Sequence, residues 1–421
     1  MRLPYDYHAA TPADDLPPVA LGAFVPVAYK PDQQLAYVRN PYYWQVDEDG
    51  NQLPYFDEIL FTDSKDWSMR TLNVLAGSCD LTHVQRYDLQ PVVLAASQNP
   101  ESHFTTHWGT WGVPHLLSMN LSLYAGVEND RDMELRKLFR KKEFRIAVSH
   151  LIDRKGMTTG VFPTPATRPW YGGYVTGSGM YDEAMVVKYE YDLDKAKKIL
   201  SDLGFTDSDG NGILNWPASS AISGQELIIE VQAGVQSPEW VQAAEALVPT
   251  FQKGGIDLRV KPVKGGIQTA NINSGKWEMI IQRTMEQIIP DIIPASVGPI
   301  DDGSPTWHLA GPGGKRDLLP FEQEIQDLLR SSESVADPVE RRRIFGKVLK
   351  LFTENAYSVG IFEARYLDAF AKRMRNMPGD FPIRLYDWTE NNIPIQIRWT
   401  PKALQLESQF QHLIVTNDTY K

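Results

Sequence analysis

The clearest hydrophobic pattern lies in the block that ends at Ile152. Apolar residues recur there at i, i+3, i+4, i+7 and i+8, in the order Phe144, Ala147, Val148, Leu151 and Ile152. This spacing places them on one face of an α-helix. An extended apolar run precedes the block at residues 113–121 and predicts a strand. The charged stretch between the two predicts a solvated helical segment, so a strand leads into a buried helix.

Strand and helix patterns alternate further along the chain. Residues 227–232 and 256–263 predict strands, and the amphipathic stretch 237–253 between them predicts a helix. Strand, helix and strand in this order predict a βαβ unit and therefore a parallel sheet. Asp192 and Asp337 occupy N-cap positions of two further predicted helices.

Three motifs carry a resemblance to a known family. The first is Phe139…Phe144-Arg145-x-Ala147-x-Ser149-x-x-Ile152-Asp153-Arg154, the second is YDLDKAKKILSDLGF from residue 191, and the third is NPYYW from residue 40. Together they closely resemble the family 5 extracellular solute-binding proteins, the oligopeptide, dipeptide and nickel-type receptors of ABC importers. The resemblance extends from about residue 21 to residue 399.

The resemblance implies an α/β, two-lobed periplasmic-binding-protein-like fold of type II, in the large cluster, with lobe one incomplete. It implies lobe I at residues 1–121, lobe II at 122–350, and a return to lobe I at 351–421. The chain is then expected to cross between the lobes near residues 117–123 and 356–361. The implied mechanism is hinge closure, in which contacts of a solute with both lobes favour the closed state.

Family position also implies a set of residues that face the solute. They are Trp108, Trp111, Asn120, Trp170, Tyr171, Arg283, Asp291 and Trp307. Tryptophan and tyrosine offer a flat apolar face with a polar edge, which suits a ligand cleft and equally suits a core. The correspondence of Asp291 with the acidic residue of peptide-binding members is loose. The predicted solute is therefore a peptide or an oligosaccharide.

Charge and composition narrow the partners. The formal net charge of −11 disfavours nucleic acid, whose recognition needs a basic surface. No run of about 18 apolar residues is present to span a membrane. The resemblance implies an inner-membrane ABC permease as the protein partner and a monomeric receptor. The single cysteine, Cys79, allows no intrachain disulfide.

Catalytic and metal-binding patterns are weak. His103, His107 and His115 have no acidic partner at ligand spacing, and Asp207–Asn211 matches only the first half of a calcium loop. We predict no metal, no cofactor and no enzyme activity. The alternatives are a carbohydrate-active enzyme, whose carboxylate pair the sequence cannot single out, and a non-functional fragment of a receptor.

The N-terminal residues bear on localisation. Residues 1–18 contain neither an apolar signal-peptide core nor a lipobox cysteine. The family resemblance implies a periplasmic or membrane-associated extracellular protein in its full-length form. We therefore expect this chain to be an N-terminally truncated copy that lacks its export signal.

Overall fold

The computed structural model describes residues 21–64, 67–283, 285–377 and 397–408. Residues 1–18, on which the export prediction depends, lie outside these ranges. The chain divides into two compact units. Among the described residues, unit 1 contains 21–108 and those from 367 onward, and unit 2 contains 109–366.

The predicted lobe boundaries differ from this division. The sequence suggested crossings near residues 117–123 and 356–361, whereas the units divide between Trp108 and Gly109 and between Tyr366 and Leu367. The reason is strand pairing, because both predicted crossing segments contribute strands to the same sheet of unit 2. Unit 1 is formed by an N-terminal part and a returning C-terminal part, and the assignment of these units as lobes I and II stays a prediction.

The described residues of unit 1 form two three-stranded sheets. The first is antiparallel, in the order β1 (Phe24–Lys30), β2 (Gln34–Arg39) and β3 (Glu58–Thr62). The second has the order β4 (Leu81–Val84), β12 (Leu367–Ala371) and β5 (Phe104–Trp108), with β12 antiparallel to both neighbours. Two helices, α1 (Trp67–Leu75) and α2 (Gln90–Ser97), pack on this second sheet.

Unit 2 is built on one six-stranded mixed sheet in the order β7-β11-β6-β10-β8-β9. Its strands are β6 (Val113–Met119), β7 (Thr167–Pro169), β8 (Ile228–Gly234), β9 (Asp257–Val263), β10 (Met279–Gln282) and β11 (Val359–Ala364). Strand β8 is parallel to β9 and to β10, and the remaining pairs are antiparallel. The predicted parallel βαβ unit is confirmed.

Seven longer helices lie in the part of unit 2 that the structure describes. They are α3 (Asp130–Phe139), α4 (Lys142–His150), α5 (Leu193–Asp202), α6 (Pro238–Lys253), α7 (Gly265–Ser274), α8 (Pro320–Ser332) and α9 (Pro338–Glu354). The predicted caps are present, since Asp192 accepts a hydrogen bond from the amide of Lys195 and Asp337 accepts one from that of Val339. Within the described ranges, no helix has the length and apolarity required to cross a bilayer.

Short helical turns fill the longer connections. They are Arg154–Gly156, Met157–Val161, Glu183–Met185, Met285–Ile288, Pro294–Ser296, Thr306–His308, Pro312–Gly314 and, in unit 1, Lys402–Leu404. Four of them lie in the long irregular segment between β10 and α8.

The buried face of α4 confirms the pattern that identified it. Phe144, Ala147 and Val148 are fully buried, as are Leu151 and Ile152 just beyond the helix. Burying such apolar side chains stabilises the fold by roughly 1.5–3 kcal/mol each. This helix and β6 bring the chain into the core of unit 2, and the candidate site lies at the end of the sheet where β6 begins.

Candidate functional site

Trp111 precedes β6, and two arginines lie over its ring. The guanidinium carbon of Arg168 is 3.9 Å from the ring centroid, and that of Arg365 is 5.0 Å away. These distances are those of cation–π contacts. Burial and the nearby positive charge of Arg168 lower the pKa of Arg365. Trp111 is partly exposed, so it combines a rigid aromatic surface with adjacent hydrogen-bond donors.

A buried carboxylate fixes Arg168 in this position. Glu363 on β11 is directly opposite Arg168 on β7, and its Oε1 lies 2.6 Å from Nε of the arginine. The Glu363 side chain is fully buried. Its oxygens also accept hydrogen bonds from the hydroxyl and the backbone amide of Thr176, at 2.6 and 3.0 Å. A buried carboxylate satisfied in this way holds the guanidinium rigidly against the indole.

The site lies beside the points where the chain enters and leaves unit 2. The amide of Gly109 donates to the carbonyl of Tyr366 at 2.9 Å, and that of Gly112 donates to Ala364 at 3.3 Å. Arg283, which follows β10, donates to the hydroxyl of Tyr366. The positively charged Arg283 therefore lies near the same end of the sheet.

Tyr171 and Arg168 both line a recess of about 220 Å³. Its hydroxyl donates to Glu190 at 2.7 Å, and the guanidinium carbon of Arg154 is 4.6 Å from its ring centroid. Burial and the hydrogen bond to Glu190 raise the pKa of Tyr171 to about 12. Tyr171 thus remains a neutral hydrogen-bonding phenol at physiological pH.

Of the predicted ligand contacts, Trp111, Tyr171 and Arg283 surround this end of the sheet in unit 2. Asp291 is partly exposed in the irregular segment after β10. Burial, and then the carboxylate of Asp291, raise the pKa of Tyr174 well above its usual value. Trp108 ends β5 in unit 1, where it is partly buried against that unit's apolar core.

Three predicted contacts are buried and hydrogen-bonded or packed within unit 2. Asn120 is 2% exposed, and its amide donates to the carbonyls of Gly275 and Trp277 at 2.9 and 3.1 Å. Trp170 is 3% exposed and donates to the carbonyl of Tyr174 at 3.0 Å. Trp307 is 1% exposed. Asn120 and Trp307 are too deeply buried to present surface to a solute, so we remove both from the candidate set. Trp170 also lines the recess beside Tyr171, and its role as a ligand contact stays a prediction.

The histidine and calcium motifs have structural partners. His103 lies 2.8 Å from the carbonyl of Val74, and His115 stacks on Phe362 with ring centroids 4.0 Å apart. In the turn at residues 207–211, Asp207 accepts hydrogen bonds from the amides of Gly210 and Gly212 at 2.8 and 2.9 Å. These contacts make a well-formed turn.

Sequence reasoning missed Arg168, Glu363 and Thr176. Arg168 lies on β7, which is only three residues long and shows no alternation that would predict a strand. Arg168 and Glu363 are 195 positions apart in the sequence. Only the register between β7 and β11 brings them together, and no local signal encodes it.

Comparison with known proteins gives consistent matches. A model of the family described as "Bacterial extracellular solute-binding proteins, family 5 Middle" matches residues 3–293. The chain is 31% identical over 396 residues to the periplasmic alpha-galactoside-binding protein of Rhizobium meliloti (strain 1021), a match that covers 92% of this chain and 56% of that protein. The chain therefore spans little more than half the length of this relative.

The chain is also similar to solved structures of solute-binding proteins. The periplasmic binding protein MelB of Agrobacterium fabrum C58, in complex with stachyose, has a TM-score of 0.85 and 28% identity, over 93% of this chain and 58% of that one. The oligopeptide-binding protein AppA of Bacillus subtilis, in complex with a nonapeptide, has a TM-score of 0.68 and 16% identity, over 90% of this chain and 66% of that one. The second similarity concerns the fold alone. The predicted α/β fold of periplasmic binding proteins is confirmed.

Proposed function

Because this chain belongs to family 5 of the bacterial extracellular solute-binding proteins, we propose that it captures an α-galactoside for import by an ABC transporter. The observation that carries this proposal is the 31% identity to an alpha-galactoside-binding protein along 92% of the chain. The similar structure bound to a peptide is only 16% identical. An oligosaccharide is therefore favoured over a peptide.

The chemistry around Trp111 supports a sugar ligand. A pyranose ring has an apolar face formed by its C–H groups, which packs on an aromatic ring, and a rim of hydroxyls that need donors and acceptors. The exposed part of Trp111 supplies apolar surface, and the guanidinium groups over its ring supply donors in a fixed geometry. We propose Trp111, Trp170, Tyr171, Arg283 and Asp291 in unit 2, and Trp108 in unit 1, as ligand contacts.

The proposal also covers the oligomeric state, the location and the protein partner. The chain acts as a monomeric receptor in the periplasm, hands its solute to an inner-membrane permease and performs no covalent chemistry. Ligand-driven hinge closure stays a prediction. The rival function, a carbohydrate-active enzyme, is tested by incubating the protein with stachyose and analysing the sugar by chromatography. Release of galactose would favour the enzyme, and intact stachyose would favour the receptor.

Isothermal titration calorimetry with stachyose tests the proposal, with melibiose as a shorter α-galactoside and maltose as a control that lacks galactose. A mixed panel of short peptides tests the competing solute. We expect saturable binding of the α-galactosides alone. A ligand at 100 times its Kd stabilises the folded state by about 2.7 kcal/mol, so thermal melting gives a second readout. Binding of peptides without binding of galactosides would overturn the assignment.

A further inference from the structure

A recess of about 220 Å³ lies in unit 2 beside the Trp111 site. We call it the Tyr181 recess. The polar and aromatic side chains that line it include Arg168, Tyr171, Tyr181, Glu183, Lys188 and Glu363. Pockets for drug-sized ligands typically measure roughly 300–1,000 Å³. The Tyr181 recess is smaller, so it suits one small ring rather than an extended chain.

The charged groups around the recess balance one another. Arg168 and Lys188 are positive, and Glu183 and Glu363 are negative. Each cation is paired with one of these acids, Arg168 with Glu363 and Lys188 with Glu183. A lining without excess charge favours a neutral ligand over a free carboxylate, a phosphate or an ammonium group, since the field of the paired groups largely cancels.

The recess nevertheless offers polar groups in fixed positions. The hydroxyl of Tyr181 and the ammonium group of Lys188 both donate to Glu183. These hydrogen bonds, led by the one from Lys188, lower the pKa of Glu183, so it accepts hydrogen bonds as a carboxylate at neutral pH. A neutral polyhydroxyl ring can donate to Glu183 and accept from Lys188 while its C–H face packs on a tyrosine ring.

Arg168 joins the recess to the Trp111 site. Its guanidinium lies 3.9 Å from the Trp111 ring centroid, and the same side chain lines the recess. A ligand longer than one ring can therefore contact Arg168 in the recess and extend toward Trp111. Tyr171, which also lines the recess, is held by Glu190 and Arg154. These two contacts hold the Tyr171 ring in place beside the recess.

We propose that the Tyr181 recess is a subsite for one neutral pyranose unit at the end of the oligosaccharide whose next units contact Trp111. This inference rests on the proposed function, because it assigns a place to one part of the same ligand. It adds residues that the family resemblance did not supply, namely Tyr181, Glu183 and Lys188. Their role is to set affinity and specificity.

A filling variant provides the sharpest test. Val186 lines the recess, and Val186→Trp should occupy its volume without removing any polar group. We expect stachyose to bind at least about tenfold more weakly, which corresponds to roughly 1.4 kcal/mol. Val339→Trp is the matched control, because Val339 is 75% exposed on α9 and does not line the recess. It should bind stachyose like the unmodified protein.

A second variant covers the case in which Val186→Trp does not fold. Lys188→Met removes a donor from a partly exposed side chain, and we expect stachyose affinity to fall about threefold, by roughly 0.7 kcal/mol. Lys198→Met is its control, since Lys198 is paired with Asp202 on the surface of α5. Each variant should be compared with its control by calorimetry, after a melting temperature has shown that each protein is folded.

The outcomes separate the two proposals. If the unmodified protein binds no α-galactoside, the proposed function fails and the subsite fails with it. If it binds stachyose, and folded Val186→Trp and Lys188→Met bind it equally well, only the subsite fails. A crystal structure with stachyose gives a direct check, because a sugar ring seated elsewhere with the recess empty would also overturn the subsite.

Discussion

His308 and Glu322 are in contact inside unit 2, with Nδ1 of the histidine 2.6 Å from Oε1 of the carboxylate. Both side chains are buried. The hydroxyl of Tyr357 donates to the same oxygen at 2.5 Å, and the amide of Leu319 donates to the other at 2.7 Å. Arg140 donates to Nε2 of His308 at 3.2 Å. Since Arg140 can only donate, Nδ1 carries the proton given to Glu322.

This contact links the irregular segment after β10 to α8. We expect Glu322→Gln to destabilise the protein by about 3 kcal/mol, because it leaves buried donors without their charged acceptor. Glu324→Gln is the control, since Glu324 is exposed on the same helix. Urea unfolding followed by circular dichroism measures the difference. Equal midpoints for the two variants would contradict the role given to Glu322.

The same carboxylate predicts a pH dependence. Burial raises the pKa of Glu322, but hydrogen bonds from His308 and Tyr357 outweigh this effect, so the net pKa lies below its usual value. A lowered folded-state pKa contributes stability that is present above the unfolded-state value of about 4.3 and is lost as pH falls through the folded-state pKa. The unmodified protein should therefore lose stability in acid.

Unfolding curves between neutral pH and about pH 3 test this dependence. Part of the acid loss should be absent from Glu322→Gln, because glutamine does not titrate. Glu324→Gln should follow the unmodified protein. Parallel pH profiles for the unmodified protein and Glu322→Gln would contradict the prediction.

Trp111→Ala tests the proposed ligand site. Loss of the indole removes both the stacking surface and the ring that supports Arg168 and Arg365. We expect stachyose to bind at least about tenfold more weakly, a loss of roughly 1.4 kcal/mol. Trp44→Ala is the control, because Trp44 is 73% exposed in unit 1. Calorimetry should show weaker stachyose binding for Trp111→Ala than for Trp44→Ala.

Arg168→Lys tests whether the planar guanidinium group is required, because the side chain keeps its positive charge. Lysine keeps the positive charge near Glu363 but lacks the planar group that stacks on Trp111 and bonds the carboxylate. We expect weaker stachyose binding with only a small loss of stability, about 1 kcal/mol, since the Arg168 side chain is 39% exposed. Arg259→Lys is the control on an exposed ion pair. Unchanged affinity in Arg168→Lys would show that charge alone suffices.

Trp307→Phe tests the correction to the predicted site. Trp307 packs edge-on against Phe352 and Tyr357 in the core. We expect the variant to lose about 2 kcal/mol of stability while the folded protein binds stachyose with unchanged affinity. Thermal melting and calorimetry on the same sample measure both quantities. A selective loss of affinity would return Trp307 to the ligand site.

The contrast between Trp111 and Trp307 shows that local sequence does not predict which tryptophans face a ligand. Both lie outside the strands and longer helices, and an amphipathic residue type fits a cleft and a core equally well. Tertiary packing distinguishes the two residues, because Trp307 packs against Phe352 and Tyr357 in the core. Trp111 instead contacts two guanidinium groups. Asn120 shows the same limit for a polar residue, since its amide is bonded to two carbonyls of a distant segment.

The sequence by itself determined the α4 face, the caps at Asp192 and Asp337, the parallel βαβ unit and the family. These features depend on spacing over a few residues, which backbone periodicity and short hydrogen bonds translate directly into structure. Tertiary structure alone decided where the units divide and which side chains meet Trp111. Arg168 and Glu363 meet because β7 and β11 pair in one register, and such long-range pairing depends on the packing of the whole sheet rather than on any local pattern.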